Sequence, residues 1–210
     1  MTRLLKINSS SRTEDSTTRS LLSEFVNAWQ EAHPQDSVVS LDLIKEQVPF
    51  VSAAGIQAIY KDASQRTAEE KEIYGAIEPY SRALLESDLY VMAVPMYNFT
   101  VPAAFKAFID AVVLPGVTFK LTEGGYEGLL KNKRAVVVTA SGGNYDSAPM
   151  AEMDFLEPYL RALFGFLGVT DITFVKVQGH DQALVERQKE EARKTLLEYV
   201  RNSKTAAAVK

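Results

Sequence analysis

Short apolar runs alternate along this chain with longer segments of helical period. The runs predict five β-strands, which lie at Leu4 to Ile7, Val38 to Ile44, Leu89 to Val94, Ala135 to Thr139 and Ile172 to Val177. The runs at 89–94 and 135–139 are almost continuously apolar, which is typical of strands buried on both faces of a parallel sheet.

Segments with apolar residues three and four positions apart predict five helices, over about 17–32, 67–85, 102–113, 151–166 and 182–201. Pro34 ends the first helix, and Pro102 suits the first residue of the third. A hairpin or another ordered excursion is expected within 118–128, around Gly124-Gly125. Residues 48–66 show no clear period, and the tail 206–210 is expected to fray.

Five strands that alternate with five helices predict an α/β fold with one doubly wound parallel sheet and helices on both faces. No repeat or linker interrupts the pattern, so we expect a single domain over 1–210. In such sheets ligands bind beyond the carboxyl ends of the strands, where the winding direction changes. The loops after strands one, three and four are therefore the candidate binding loops.

Composition narrows the classes of function. The net charge is −4, and acidic and basic residues are interspersed, which argues against a nucleic-acid surface. The chain has no cysteine, so disulfides, thiolate catalysis and cysteine-based metal sites are excluded. The start of the chain lacks a signal-peptide pattern and no apolar run is long enough to span a membrane, so we expect a cytoplasmic protein.

The two histidines are more simply explained by helix ends than by metal binding. His33 precedes Pro34 at a helix end, and His180 precedes the start of the last helix. Capping or solvent exposure accounts for both positions, so no metal site is expected.

The first candidate loop, residues 8–19, is rich in hydroxyl side chains and enters a helix. A helix N-terminus offers free N–H groups and a positive dipole end, which suit a phosphate. Hydroxyl donors around it are Ser10, Ser16, Thr17 and Thr18. The sequence has neither a nucleoside-triphosphate P-loop nor a G-x-G-x-x-G dinucleotide fingerprint. The alternative is that these residues only cap the helix and form turns.

The second candidate loop, residues 95–102, is aromatic and has a proline at each end. Met96, Tyr97 and Phe99 would flank a planar ring, and Asn98 would form hydrogen bonds with its polar edge. The alternative is a hydrophobic plug at the end of the sheet.

The third candidate loop contains Ala140, Ser141, Gly142 and Gly143. Adjacent glycines let the backbone approach a ligand and direct N–H groups at it, although an ordinary turn explains them equally well. The three loops together match the terminal phosphate, the planar ring system and the polar pyrimidine edge of flavin mononucleotide (FMN).

Five sequence blocks resemble the FMN-dependent NADH-azoreductases, also called FMN-dependent NADH:quinone oxidoreductases. They are Ser9-Ser10 with Ser16-x-Thr18, Ala93 to Phe99, Gly116 to Phe119 with Thr122-Glu123, Gly142-Gly143, and Pro158 to Leu160 leading to Gly165 to Gly168. The Met-Tyr-Asn-Phe and Gly-Val-Thr-Phe blocks in this order are the most specific, and the likeness covers nearly the whole chain.

The resemblance implies a flavodoxin-like fold, one FMN, and NADH or NADPH as the electron donor. Ser10 and 16–18 would hold the phosphate, and 96–99 with 140–143 would surround the ring. The resemblance also implies a homodimer in which Phe166 of the partner closes the acceptor pocket with Phe119. Quinones or azo compounds would be reduced by two-electron, ping-pong hydride transfer, which requires no dedicated catalytic acid or base.

Two further interpretations belong to other classes. A flavodoxin-like electron carrier would dock on a partner protein without oxidising NAD(P)H, and a regulatory module would keep the fold without binding flavin. The mild net charge and the aromatic second loop favour the enzyme. Apolar residues on more than one side of the helix 102–113, namely Phe105, Phe108, Ile109 and Val112, predict that this helix contributes to a homodimer interface.

Overall fold

The computed structural model describes residues 1–46 and 48–207 and the side chains of that part up to Ser203. A five-stranded parallel sheet has the order β2-β1-β3-β6-β7. Its strands are β1 Arg3–Asn8, β2 Ser37–Asp42, β3 Leu89–Ala93, β6 Arg134–Ser141 and β7 Asp171–Gln178. A separate antiparallel hairpin consists of β4 Phe119–Thr122 and β5 Gly125–Gly128, as predicted.

Six α-helices accompany the sheet in the part of the chain that is described. They are α1 Thr17–Ala32, α2 Ala53–Tyr60, α3 Ala68–Glu86, α4 Ala103–Val112, α5 Leu156–Leu167 and α6 Gln182–Ala207. Short 3-10 helices occur at Ala63–Gln65 and Met150–Met153. The predicted α/β class and the five parallel strands are confirmed. Of the tail expected to fray, Ala206 and Ala207 belong to α6, and 208–210 lie outside the described residues.

The core has two halves, one on each face of the sheet. Because successive side chains of a strand point to opposite faces, Leu4 packs under α1 and α6, whereas Leu5 packs under the helices of the other face. β3 is buried along its whole length, which explains its uninterrupted apolar sequence. The doubly wound architecture follows from this two-sided burial.

The winding direction changes between β1 and β3, which are neighbours in the sheet. The chain runs outward from β1 to β2 in one direction and from β3 to β6 and β7 in the other. The carboxyl ends of β1, β3 and β6 therefore lie side by side. This arrangement confirms that the three candidate loops meet at one edge.

Several local predictions are corrected by the structure. The unclear segment 48–66 contains α2, capped by the Ser52 hydroxyl, which accepts a hydrogen bond from the Gly55 N–H. The helix predicted from 151 begins only at Leu156, where the Asp154 carboxylate accepts hydrogen bonds from the Leu156 and Glu157 N–H groups and so satisfies the first donors of the helix.

The apolar residues of α4 are covered by the chain itself. Phe105, Phe108, Ile109 and Val112 are all buried between the sheet and the neighbouring helices. The reason for placing α4 in a homodimer interface is therefore wrong, since these side chains need no partner. The homodimer itself stays a prediction.

His33 ends α1, as expected. Its N–H donates to the Trp29 carbonyl oxygen, and its ring packs 4.4 Å from the Trp29 ring centroid. His180 is exposed. Across the described residues, acidic side chains and histidines form no group suited to a metal ion. None of the helices in that part of the chain has the length and apolar character needed to cross a bilayer.

Candidate functional site

A cavity of about 460 Å³ opens at the carboxyl edge of the sheet, at the change of winding. Nine of the residues predicted to bind the cofactor line it, namely Ser10, Ser16, Thr17, Thr18, Met96, Tyr97, Ala140, Ser141 and Gly142. They come from three separated loops, so the fold brings together what the sequence presents as three independent motifs.

The hydroxyl-rich loop forms one end of this cavity, here called the phosphate end, residues 9–19. Ser16 is the N-cap of α1, and its hydroxyl donates to the Ser10 Oγ over 3.0 Å. The Ser16 and Thr18 hydroxyl oxygens lie 3.4 Å apart. Ser10 and Thr18 are buried, whereas Ser16 is half-buried. Hydroxyl donors thus surround the start of α1, where the first backbone N–H groups have no intrahelical partner.

Arg19 fixes the phosphate end from within α1. Its Nε and Nη2 donate to the Ser10 carbonyl oxygen over 3.0 and 2.7 Å. Its Nη1 and Nη2 also donate to the two carboxylate oxygens of Asp42, at 2.7 and 2.8 Å. The Arg19 hydrogen bonds hold the pKa of Asp42 below its ordinary value although burial opposes this. The Asp42 carboxylate therefore balances the charge of the guanidinium, and the main effect of Arg19 is to position the loop.

The aromatic loop forms a two-residue hairpin turn. The Tyr97 N–H donates to the Thr100 carbonyl oxygen at 2.9 Å, and the Thr100 N–H donates back over 3.2 Å. Asn98 and Phe99, the central residues, have φ of 48° and 71°. A type I′ turn requires positive φ at both positions, which asparagine tolerates and phenylalanine adopts rarely. Strain of this kind persists where the surrounding structure imposes it, and it is common at binding sites.

This turn is joined to both neighbouring loops. The Ser11 N–H donates to the Tyr97 hydroxyl over 3.2 Å, and the Met96 N–H donates to the Ala140 carbonyl oxygen over 2.8 Å. Phe99 accepts a hydrogen bond from the Phe155 N–H at 3.1 Å. The aromatic loop is therefore the link between the phosphate end and the third loop.

The third loop leaves β6 with its backbone open to the cavity. A Cβ added at Gly142 would meet no protein atom within 4 Å, so space for a ligand lies beside it. The Ser141 hydroxyl donates to the Gly143 carbonyl oxygen over 2.8 Å, which stabilises the turn. The third loop is therefore an ordinary turn, and its backbone at Gly142 also lines the cavity.

Three predicted cofactor-binding residues lie at the rim instead of the wall. Asn98 and Phe99 are exposed at the tip of the turn, and Gly143 packs against the Tyr145 ring. A Cβ at Gly143 would lie 3.0 Å from that ring. Contact of these three residues with a ring in the cavity stays a prediction.

The predicted acceptor residues pack on each other within one chain. The ring centroids of Phe119 and Phe166 lie 4.9 Å apart, and that of Tyr126 lies 5.4 Å from Phe166. Phe166 thus reaches Phe119 within its own chain, because α5 carries Phe166 against the β4–β5 hairpin, and the expected contribution of Phe166 of the partner subunit stays a prediction. A role for this aromatic pair in acceptor binding stays a prediction.

Several residues of the site were missed in the sequence. Arg12, His180 and Lys189 also line the cavity. Asp42 ends β2 and reaches Arg19 only because β2 pairs in register with β1, where Asn8 lies opposite Asp42. On β7, the polar residues Lys176 and Gln178 contact the third loop. For Lys176 and Gln178, the signal in the sequence was their spacing of two residues near a strand end.

The residues present fit an FMN. The phosphate end offers hydroxyls and helix N–H groups, with Arg12 and Lys189 also lining the cavity, which suits a terminal phosphate. From there the cavity continues to Met96, Tyr97 and the open backbone at Gly142, which suit a flat ring with a polar edge. The same edge therefore provides both chemistries that the cofactor requires.

Comparisons with known proteins identify the family of the chain. Residues 2–200 match the family described as having a flavodoxin-like fold. The chain is 44% identical over 179 residues to an FMN-dependent NADH:quinone oxidoreductase of Azotobacter vinelandii, covering 85% of this chain and 88% of the relative. A relative of the same name from Nostoc punctiforme is 43% identical over 176 residues, covering 83% and 86%.

Solved structures give the same result. A crystal structure of an azoreductase from Bacillus anthracis superposes with a TM-score of 0.86 at 32% identity, over 94% of this chain and 100% of that chain. An FMN-dependent NADH-azoreductase from Bacillus anthracis in complex with FMN has a TM-score of 0.85 at 25% identity, over 95% and 100%. With its parallel sheet, its three-loop cavity and these relatives, the chain belongs to the flavodoxin-like family of FMN-dependent NADH:quinone oxidoreductases and azoreductases.

Proposed function

We propose that this protein is an FMN-dependent oxidoreductase that uses NADH or NADPH to reduce quinones and azo compounds. The observation that carries the proposal is the single cavity that joins the hydroxyl-lined phosphate end to the aromatic and glycine loops. The names of its relatives, FMN-dependent NADH:quinone oxidoreductase and azoreductase, support the same reaction.

The residues of the chain bind and orient the cofactor. Ser10, Ser16 and 17–18 would hold the phosphate through hydroxyls and helix N–H groups. Met96 and Tyr97 would position the ring, with N–H groups of the third loop at its polar edge. When bound, FMN supplies the two-electron relay between the nicotinamide and the acceptor. No side chain of the cavity is assigned as a catalytic acid or base.

The direct test of the proposal is reduction of the bound flavin by NADH without oxygen. Loss of the visible flavin absorbance, followed by its return on addition of a quinone or azo dye, is the expected result. A flavin that NADH leaves oxidised would overturn the proposal and favour the electron carrier. A purified protein that binds no FMN would instead favour the regulatory module.

One cavity that admits donor and acceptor in turn implies a ping-pong order. Initial rates measured over a matrix of NADH and quinone concentrations should then give parallel double-reciprocal lines. Intersecting lines would contradict that order, because they require donor and acceptor to be bound together. The same assay with NADPH determines the preferred nicotinamide.

The cofactor is expected to be FMN and not FAD, because the N-terminus of α1 meets the cavity at the phosphate end and suits a terminal phosphate. Flavin released by heat and separated by chromatography decides between them. A predominance of FAD would contradict the arrangement of the site.

We propose a homodimer because of exposed apolar residues on the β4–β5 hairpin, and the apolar residues of α4 are not part of this argument. Leu121 and Tyr126 on the β4–β5 hairpin are 70% and 65% exposed, next to the Phe119–Phe166 pair. Clustered exposed apolar side chains of this kind are typical of a protein interface. Sedimentation at micromolar concentration should give twice the 23.2 kDa chain mass. A 23.2 kDa species alone would contradict the homodimer.

A further inference from the structure

Segment 143–155 follows directly after Gly142, which lines the cavity, and most of its residues are exposed. It contains a 3-10 helix at Met150–Met153 and no regular strand or α-helix. An exposed segment of this kind keeps one conformation only where specific contacts hold it, because local structure contributes little. The contacts that hold this segment therefore decide the shape of the cavity rim.

Gln178 at the end of β7 provides the first of these contacts. Its Oε1 accepts from the Tyr145 N–H at 2.6 Å, and its Nε2 donates to the Asp146 carboxylate over 2.7 Å. Gln178 is 5% exposed, and its own N–H donates to the Gln188 side chain of α6. A buried amide held in this way is a rigid anchor for the two loop residues.

Lys176, two residues earlier on the same strand, provides the second contact. Its Nζ lies 2.6 Å from a Glu157 carboxylate oxygen, 3.8 Å from Asp154 and 4.0 Å from Asp146. One ammonium thus faces three carboxylates from the loop and from the start of α5. Because Arg161 also pairs with Glu157, at 2.7 Å, it is chiefly the repulsion involving Asp146 and Asp154 that Lys176 offsets, and this holds the loop near the helix.

These anchors place two aromatic side chains at the rim. Tyr145 packs on Gly143, and its ring lies edge-on to Phe99 with centroids 6.4 Å apart. The Phe155 N–H, next to the Asp154 cap of α5, donates to the Phe99 carbonyl oxygen. The strained turn and segment 143–155 therefore meet as one aromatic wall beside the proposed ring site.

We propose that Lys176 and Gln178 are positioning residues, which hold Tyr145 against Phe99 and so determine how well extended aromatic acceptors bind. The inference rests on the proposed function, since it concerns the acceptor of that reaction. Neither side chain needs to touch the acceptor. Small acceptors of one ring, which do not reach the wall, should be indifferent to its position.

The test compares Gln178→Leu and Lys176→Met with the parent holoenzyme. For a two-ring naphthoquinone, KM should rise by about fivefold, the equivalent of one hydrogen bond, while kcat stays within about twofold. For benzoquinone, and for flavin reduction by NADH, the variants should match the parent. Lys176→Arg should restore the parent KM, because it keeps the ion pairs.

A second readout does not depend on activity. In Gln178→Leu, hydrogen exchange of the Tyr145 N–H should accelerate by more than about tenfold, because its acceptor is removed. Asp146→Ala provides a safer variant, since the Asp146 side chain is 64% exposed and its loss should not unfold the protein. It should show a smaller rise in the naphthoquinone KM.

Lys133→Met is the matched control. Lys133 is 15% exposed, donates to the Leu85 carbonyl oxygen and lies 3.9 Å from Asp88, at the amino edge of the sheet. It should leave both acceptors unchanged. Equal KM changes for the two acceptors, or unchanged Tyr145 exchange in Gln178→Leu, would overturn the inference. A parent flavin that NADH fails to reduce would instead overturn the proposed function, and the exchange result would still report on the anchor.

Discussion

The two ends of the cavity are built in different ways. The phosphate end is one contiguous stretch, residues 9–19, whose hydroxyls bond to one another and cap the helix that follows. The ring end combines the turn 97–100, the third loop and polar side chains from β7, which are separated by tens of residues along the chain.

The two ends differ in how far apart along the chain the residues lie whose contacts hold each end. At the phosphate end, most side-chain partners lie at most nine residues apart, and the exceptions are the bonds to Asp42, Ala93 and Tyr97. At the ring end, the decisive hydrogen bonds span 32 and 33 residues. Short-range contacts form with little loop-closure entropy, whereas long-range contacts depend on the complete sheet. We therefore expect the phosphate end to tolerate changes elsewhere in the fold, and the ring end to transmit them.

The largest effect is expected from Arg19→Ala, which removes the long-range link of the phosphate end. Asp42 and the Ser10 carbonyl lose their donors, and hydrogen bonds to charged groups contribute about 1.5–3 kcal/mol each. We expect the free energy of unfolding to fall by about 2–3 kcal/mol and FMN affinity by more than about tenfold. Urea unfolding and titration of apo-protein with FMN measure both.

Riboflavin and Arg193→Ala provide the controls. Riboflavin lacks the phosphate, so its affinity should fall less than that of FMN if Arg19 positions the phosphate end. Arg193 also forms ion pairs, with Glu24 and Glu190, but it is 36% exposed, so its loss should cost about 0.2–1 kcal/mol. Equal losses for FMN and riboflavin would mean that Arg19 only stabilises the fold.

At the ring end, Asn98→Gly tests the amide of the turn without adding strain. Glycine accepts the φ of 48° at this position, so any effect reports on the side chain. Loss of a hydrogen bond to the polar edge of the ring should lower FMN affinity by about two- to tenfold. Flavin fluorescence quenching measures it, and an unchanged affinity in a folded variant would remove Asn98 from the site.

Substitutions of Phe99 should have a smaller effect on stability, and here glycine should destabilise less than alanine. At a φ of 71°, alanine is strained and glycine is not, so Phe99→Gly should be more stable than Phe99→Ala by about 1 kcal/mol. The same pair at Lys106, an exposed position inside α4, should show the reverse order, because glycine is the poorer helix former. Thermal unfolding compares the four variants, and the same order at both positions would contradict the strained turn.

The smallest expected effect is that of pH. The lowered pKa of Asp42 means that its ion pair stabilises the fold above its ordinary value of 3.8 and is lost as the pH falls through the lower value. Burial opposes the charge of Lys176, but its carboxylate partners raise its pKa above 10.5, so its contribution is present below 10.5 and is lost above the raised value.

The contributions of the Asp42 and Lys176 ion pairs to the free energy of unfolding should therefore stay constant between about pH 5 and pH 10. The difference in unfolding free energy between the parent and Lys176→Met, measured in urea at several pH values, should be constant over that range. A difference that changes near neutral pH would show that another group titrates with the anchor. At still higher pH the Lys176 ion pairs should weaken, whereas the Arg19 guanidinium keeps its charge because it does not titrate in proteins.

The sequence by itself determined the parallel sheet, the positions of the strands and the three loops. Strand burial is recorded in continuous apolar runs such as 89–93, and the start of α1 at Thr17 is recorded in local capping by Ser16. The local structure of residues 9–19 could be predicted for the same reason, since its side chains and its helix are neighbours along the chain.

The tertiary structure alone decided which distant side chains complete the site. Asp42 meets Arg19 through the register of β1 and β2, and Lys176 with Gln178 meets segment 143–155 through the order of the strands. It also decided that α4 is covered by its own chain. Residue spacing encodes contacts within one element, but the partner of an element's exposed face depends on the packing of the whole sheet.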